Sequence, residues 1–187
     1  PLAGFMGKEE LDSVIHKYCL LDGTVWPLPI TLQLDEESLQ GCGVGDQVAL
    51  QSKEGKIHAL INISEIFVCD IDTLLVPWFG TDSTSHPGVT RLINGGKYFV
   101  AGEVTLVERL STPFREFELT PSQTRFLFTR KGWSSVIGFH SRNVAHRVHE
   151  YIQLKALEDT VADGLYISPV IGPRKSGDFL PGPILHS

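Results

Sequence analysis

The sequence lacks the features of membrane-spanning, disulfide-rich and zinc-framework proteins. Its longest stretch without Asp, Glu, Lys or Arg is the 12 residues between Asp22 and Asp35, whereas a membrane-spanning helix needs about 20 apolar residues. It has three cysteines, Cys19, Cys42 and Cys69, and none belongs to a C-x-x-C pair. An odd number of widely spaced cysteines is typical of reduced thiols in the cytosol. We therefore expect a cytoplasmic protein without a membrane partner.

Internal repeats, low-complexity tracts and an overall excess of positive charge are also absent. Hydrophobic residues make up 42% of the 187 residues and charged residues 20%, which allows a packed core and excludes a disordered or fibrous chain. The net charge is −6, but residues 1–90 carry 4 basic and 13 acidic side chains, whereas residues 91–187 carry 12 and 9. Because nucleic-acid-binding proteins are normally basic overall, we do not expect a nucleic-acid partner.

The first ~110 residues have mostly strand-like patterns. Apolar residues at i, i+3, i+4 and i+7 predict a helix over residues 8–19. Residues 80–90 are rich in Thr, Ser, Asp and Gly, which indicates a loop. Alternating or apolar runs predict four strands, over residues 30–34, 48–50, 57–66 and 97–110. A small, partly closed β-barrel with one or two helices is the expected fold of this part.

The pattern changes after Pro113, and we expect a domain boundary near residues 112–120. Thr120 and Gln123 form a capping box around a proline, and Gly132 marks the end of that helix. An apolar run, a helix-compatible segment and a second apolar run follow, over residues 136–139, 143–158 and 165–171. Strand, helix and strand in this spacing predict a βαβ unit with a parallel sheet. Since two parallel strands alone leave faces uncovered, we expect this domain to be incompletely represented.

Residues 138–150 carry the groups most suited to chemistry, where the first parallel strand turns into its helix. Open α/β sheets bind ligands at this edge, and the free N–H groups at a helix N-terminus favour anions. Asn143 is the expected N-cap, which places His146 and His149 on one face of the helix. Arg142 adds a guanidinium fork suited to two oxygens of one tetrahedral group. The segment therefore predicts a polyphosphate or oxyanion pocket.

Several other interpretations of this segment compete. Two histidines three residues apart also occur on ordinary helix surfaces, and clustered basic residues often form a solvated helix face. A zinc site is disfavoured because H-E-x-x-H and a third ligand at suitable spacing are absent. Ser141 does not lie in the G-x-S-x-G motif of an acyl-transfer nucleophile. The glycine patterns of phosphate loops and dinucleotide-binding domains are absent as well.

The sequence resembles the ATP sulfurylase (sulfate adenylyltransferase) family nearly from end to end. The similar segments occur in the family's order, and several ordered matches are more specific than any one of them. They are GFMG at residues 4–7, DGTVWPLPITL at 22–32, HPGV at 86–89, TPSQTR at 120–125, GW at 132–133, PVIG at 169–172 and KSGD at 175–178. Residues 140–149 are similar to the family signature Q-x-R-N-P-x-H followed by a second histidine.

This resemblance implies the fold and the activity. Residues 1–115 would be a PUA-like β-barrel domain, and residues 116–187 the first βαβ unit of a Rossmann-like α/β nucleotidyltransferase domain. The full-length protein would be an enzyme of sulfate assimilation that converts Mg-ATP and sulfate into adenylyl sulfate and pyrophosphate. It would need no tightly bound cofactor and no protein-held metal, and it would form a homo-oligomer. The chain would hold at most half of the active site, so we expect it to be inactive alone.

The resemblance also implies roles for individual residues. Ser141, Arg142 and Asn143 would form the catalytic segment, with His140 and Arg142 binding sulfate. The nucleotide would be bound by three residues, Asn143, His146 and His149.

Two positions depart from the signature, since His140 replaces the family's glutamine and Val144 its proline. A histidine can be neutral or cationic, whereas a glutamine is always neutral. The contact with the oxyanion, and the pH dependence of that contact, would therefore differ from those of the family. An adenylyltransferase with a different oxyanion acceptor is therefore one alternative. A non-catalytic PUA-like binding or scaffold module is the other.

Overall fold

The strands and helices are those of a computed structural model, which describes residues 2–172, 177 and 179–187. Two compact units are present, Pro1–Leu110 and Ser111–Ser187, here called unit 1 and unit 2. None of the helices in these described ranges has the length and apolar character needed to cross a bilayer.

Unit 1 is built on one antiparallel sheet. Its strands are β1 Gly4–Phe5, β2 Leu32–Leu34, β3 Gln47–Gln51, β4 Ile57–Val68 and β5 Tyr98–Leu106. The order is β1-β5-β4-β3, and β2 pairs with β5 as well. The predicted hairpin of β3 and β4 is confirmed, and so are the strands that became β2 and β5. Because β3 ends the ladder of described strands without pairing to β1 or β2, this ladder does not close into a complete barrel.

A bulge in β4 lets the sheet of unit 1 contribute to two cores. The register of β4 against β5 shifts between Ile63 and Glu65, and such a shift changes which face successive residues occupy. Ile63 and Ile66 pack in one apolar cluster, whereas Phe67 packs in the other, where its ring stacks on Phe99. Both faces of the sheet are therefore covered by apolar side chains.

Four helices accompany this sheet. They are α1 Lys8–Lys17, α2 Glu36–Leu39, α3 Ile71–Phe79 and α4 Pro87–Asn94. The predicted helix over residues 8–19 is confirmed as α1. The loop predicted over residues 80–90 is wrong in its second half, because His86 caps α4 through its ring and Pro87 occupies the first helical turn. The expectation of one or two helices was too low, because α3 contains an internal proline, Pro77, and α4 follows a segment rich in turn-forming residues.

Unit 2 contains the predicted βαβ arrangement. Its elements are a 3₁₀ turn Arg115–Phe117, α5 Pro121–Lys131, β6 Val136–Ser141, α6 Arg147–Thr160, β7 Gly164–Pro169 and α7 Pro181–Leu185. Strands β6 and β7 pair in parallel, with α6 as the connection between them. The capping box of Thr120 and Gln123 is present, and Gly132 ends α5 in the left-handed conformation at φ 71°. These predicted features are confirmed.

Asp163 ties together the amino ends of the two parallel strands. Its carboxylate accepts hydrogen bonds from the backbone N–H of Ser134 at 2.8 Å, the hydroxyl of Ser134 at 2.9 Å and the N–H of Ser135 at 2.9 Å. The N–H of Asp163 in turn donates to the carbonyl of Ser135 at 2.9 Å. The donors, first the N–H of Ser135, lower the pKa of the Asp163 carboxyl below its usual value because they stabilise its charged form.

Three aromatic side chains pack together near the start of β7. The Phe128 ring is 5.8 Å from the Trp133 ring and 5.7 Å from the Tyr166 ring, measured between centroids. Gly164 opens β7 directly against the Trp133 indole, and a Cβ atom at this position would overlap that ring. Glycine therefore allows the closest approach of β7 to the end of α5.

We expect Gly164→Ala to destabilise unit 2 by about 1–3 kcal/mol, because the added methyl group overpacks the site beside Trp133. Gly138→Ala is the matched control, since nothing lies within 4 Å of the added Cβ on neighbouring β6. Denaturant-dependent hydrogen exchange of β6 and β7 measures both effects. Equal stability of the two variants would contradict this role of Gly164.

Candidate active site

The candidate site lies in the loop between β6 and α6. His140 and Ser141 end β6 opposite Ser168 and Pro169 of β7. The N–H of Val170 donates to the carbonyl of Ser141 at 2.8 Å, which continues the pairing one residue further. The loop therefore leaves the sheet at the carboxyl ends of both parallel strands, the edge where such sheets bind ligands.

Ser141 shapes the first turn of this loop. The N–H of Asn143 donates to the Ser141 hydroxyl at 3.1 Å, a local side-chain bond of the kind that competes with helix formation. Helix α6 therefore does not begin near Asn143, and the prediction that Asn143 caps it is wrong. Asn143 is instead an exposed loop residue four positions before the helix.

His146 is the N-cap of α6. Its Nδ1 accepts a hydrogen bond from the N–H of Val148 at 3.3 Å, and its carbonyl accepts one from the N–H of Glu150 at 3.1 Å. The ring thus takes the place that a Ser, Thr or Asp oxygen usually has at a helix start. His86 caps α4 in the same way, accepting from the N–H of Gly88 at 3.2 Å.

The two histidines of the segment are in contact. The His146 and His149 rings stack with centroids 3.9 Å apart and an interplanar angle of 27°. Phe139 of β6 meets the His149 ring edge-on, at 5.6 Å and 64°. The Nδ1 atom of His149 is buried and has no hydrogen-bond partner within the described part of the chain. His149 is thus held from two sides, whereas His146 is exposed.

The end of the chain supports the same loop. The N–H of Ala145 donates to the Ser187 hydroxyl at 3.1 Å, and that hydroxyl donates to the carbonyl of Ile184 in α7 at 3.0 Å. Arg142 is exposed on a small cleft beside α7. The other cleft residues are Val170, Ile171, Gly172, Phe179, Pro181 and Ile184.

The structure brings together some of the predicted site residues. Ser141 and Asn143 are joined by a hydrogen bond, and His146 and His149 by ring stacking. His140 is exposed on β6, one residue before the loop. Of the KSGD segment at residues 175–178, all but Gly177 lie outside the described residues. The roles assigned to these side chains stay predictions.

Three contacts were not found from the sequence. The contact of Phe139 with His149 was missed because Phe139 was interpreted only as part of an apolar run. Its position next to His140 in a strand indicates that the two side chains face opposite sides of the sheet. The capping role of His146 had no signal in the sequence, since histidine is not among the residues preferred at an N-cap. The contact of Ser187 with Ala145 has no local signal, since 42 positions separate them. Across the described residues, no group of three or more His, Cys, Asp or Glu could hold a metal ion.

Comparison with known proteins gives a consistent result for both units. A family model described as a PUA-like domain matches residues 1–109, and one described as ATP-sulfurylase matches residues 115–184. A sulfate adenylyltransferase of Symbiobacterium thermophilum is 40% identical over 96% of the chain and 45% of its own length. That of Pyrococcus abyssi is 39% identical over 96% of the chain and 46% of its own length.

A solved structure is similar as well. The hexameric APS kinase from Thiobacillus denitrificans matches with a TM-score of 0.68 and 27% identity, over 95% of this chain and 31% of that one. The chain thus spans a little under half the length of the two curated relatives and a smaller part of this structure.

Replacing Ser141 by alanine should loosen the loop without unfolding the unit. A hydrogen bond of this kind contributes about 1 kcal/mol, so we expect roughly fivefold faster amide exchange at Asn143. Ser122→Ala, at an exposed position of α5, is the control and should leave this exchange unchanged. Unaltered exchange in Ser141→Ala would show that the hydroxyl does not hold the turn.

Proposed function

The chain belongs to the ATP sulfurylase (sulfate adenylyltransferase) family, and on that premise we propose that its full-length protein forms adenylyl sulfate and pyrophosphate from Mg-ATP and sulfate. The observation that carries this proposal is the loop at the N-terminus of α6. There the stacked pair of His146 and His149 lies at the first turn of α6, the positive end of the helix dipole. Such an arrangement suits a polyanion.

The proposed reaction is an in-line displacement. A sulfate oxygen attacks the α-phosphorus of ATP and forms the new P–O bond, while the bond from the α-phosphorus to the bridging oxygen breaks. The electron pair of that bond leaves with pyrophosphate, and no covalent enzyme intermediate forms. Catalysis then depends on the position of the two substrates and on neutralisation of the charge that develops on the leaving group.

Each residue of the segment has a proposed part in this reaction. Arg142 holds sulfate with its guanidinium fork, and His140 lies near the same anion. Asn143 contacts the nucleotide phosphates, and its N–H bond to Ser141 keeps the turn in place. The last two ligands, His146 and His149, bind the β- and γ-phosphates. Mg²⁺ enters with ATP as part of the substrate, and we propose no tightly bound cofactor.

The domain assignment is part of the proposal. Residues 1–115 form the PUA-like domain, and residues 116–187 begin a Rossmann-like nucleotidyltransferase domain. Within the described residues of unit 2, only Gly164 and Ile184 are buried, and a parallel sheet is normally covered on both faces. The two curated relatives are about twice as long, which supports the proposal that further elements complete this domain. We further propose a cytoplasmic homo-oligomer.

A different oxyanion acceptor is the second candidate function. His140 replaces the family's glutamine at an exposed position next to the loop, so the side of the pocket that receives the oxyanion differs chemically. Comparing sulfate, molybdate and phosphate as acceptors in ATP-dependent pyrophosphate release by the full-length protein separates the two candidates.

We expect the full-length protein to make ATP from adenylyl sulfate and pyrophosphate, and the 187-residue chain alone to make none. Arg142→Ala should lower kcat/KM for sulfate about 100-fold, because a charge-assisted bidentate contact is lost. Arg142→Lys, which keeps the charge, should lower it about tenfold.

The matched control is Arg130→Ala, which removes the same charge from the last turn of α5 and should leave sulfate kinetics unchanged. An equal loss in Arg130→Ala and Arg142→Ala would contradict the proposed sulfate contact. Measurable ATP formation by the 187-residue chain alone would contradict the proposal that it holds only part of the site.

A further inference from the structure

We infer that His146 and His149 form a pair of neutral imidazoles, each with its proton on Nε2, and that they recognise the leaving pyrophosphate as hydrogen-bond donors rather than as cations. The inference rests on the proposed function for the identity of the anion. It adds the protonation state and the tautomer of both rings, which the family resemblance does not supply.

The cap of α6 determines the state of His146. Its Nδ1 accepts the N–H of Val148 at 3.3 Å, so this nitrogen carries a lone pair and no proton. A neutral imidazole has one donor and one acceptor nitrogen, which leaves the proton on Nε2. An imidazolium would lose the cap and would also place positive charge at the positive end of the helix dipole.

The surroundings of His149 favour the same tautomer. Its Nδ1 is buried without a hydrogen-bond partner in the described part of the chain, and the Phe139 ring packs against the same imidazole. An N–H at this nitrogen would be a buried donor without an acceptor, and burial of a cation would cost still more. The proton of His149 therefore lies on the other ring nitrogen, Nε2.

Stacking couples the two rings. At a centroid distance of 3.9 Å, two imidazolium ions would repel each other strongly, whereas two neutral rings stack without this penalty. The other charged or titratable groups on β6, the loop and α6 are His140, Arg142, Arg147, Glu150, Tyr151, Lys155, Glu158 and Asp159. Positive charge for the polyanion thus comes from arginine and from Mg²⁺ bound to the substrate, and the histidines provide directed N–H donors.

This arrangement gives His146 two separable tasks. Its Nδ1 begins the helix, and its Nε2 faces away from that bond and is available to the ligand. Asparagine is a good N-cap but does not reach the place of Nε2. His146→Asn should therefore keep amide protection of Val148 within about twofold while weakening pyrophosphate binding about tenfold. His146→Ala should lose both, with Val148 exchanging at least fivefold faster.

The test of the tautomers is nitrogen-15 NMR of the histidine-labelled full-length protein without ligand at pH 7.5, with His146 and His149 assigned from their single variants. We expect both rings to be neutral with the proton on Nε2. A proton on Nδ1 of either ring, or an imidazolium, overturns the inference and leaves the proposed function intact.

The test of recognition is the pyrophosphate dissociation constant of the full-length protein. His149→Gln keeps a neutral N–H donor near the place of Nε2 and should bind within about threefold of the unchanged protein. His149→Lys supplies charge without that geometry and should bind about tenfold more weakly, as should His149→Ala. If His149→Lys binds pyrophosphate as tightly as the unchanged protein and His149→Gln does not, the inference is wrong and the proposed function still stands. If the unchanged protein does not bind pyrophosphate at all, the proposed function is wrong together with the inference.

Discussion

Backbone hydrogen bonds between β6 and β7, in parallel register from Val136 opposite Gly164 to Ser141 opposite Pro169, determine where unit 2 can bind a ligand. Parallel strands need a crossover, and α6 supplies it with its N-terminus at the carboxyl edge of the sheet. Asp163 fixes the opposite edge through three accepted hydrogen bonds. With both ends of the strand pair held, the loop that carries Arg142 has a defined starting point.

The two units differ in how much of their apolar surface is covered. The sheet of unit 1 has apolar clusters on both faces. In unit 2, α6 exposes large apolar side chains such as Val148, Tyr151 and Leu154, and none of its residues is fully buried. A helix of this kind normally packs against further structure. The proposal that unit 2 begins a larger domain accounts for these exposed residues.

Local rules predicted the elements whose ends are set by neighbouring residues. The start of α5 follows from Thr120 and Gln123, and its end follows from Gly132, all of which act within a few positions. The start of α6 was misplaced at Asn143, because asparagine is a preferred N-cap residue whereas histidine, which caps the helix at His146, is not. The bond of the Asn143 N–H to Ser141 keeps Asn143 in a turn instead, and nothing in the local sequence allows this bond to be weighed against a helical turn.

In the candidate site, too, the sequence predicted what depends on neighbouring residues and missed what depends on distant ones. Spacing of three residues predicted that His146 and His149 share a face, and their rings do stack. Their surroundings depend on tertiary packing, since Phe139 reaches His149 from another element and Ser187 reaches Ala145 across 42 positions. The sequence therefore singled out the segment and the shared face of its two histidines, but not which ring nitrogen is buried.

A crystal structure of the full-length protein with adenylyl sulfate bound tests the central claim most directly. The account predicts that the sulfate group lies against the Arg142 guanidinium and that the α-phosphate lies within hydrogen-bond distance of Asn143. Binding of adenylyl sulfate at a place where neither side chain touches it would contradict the account.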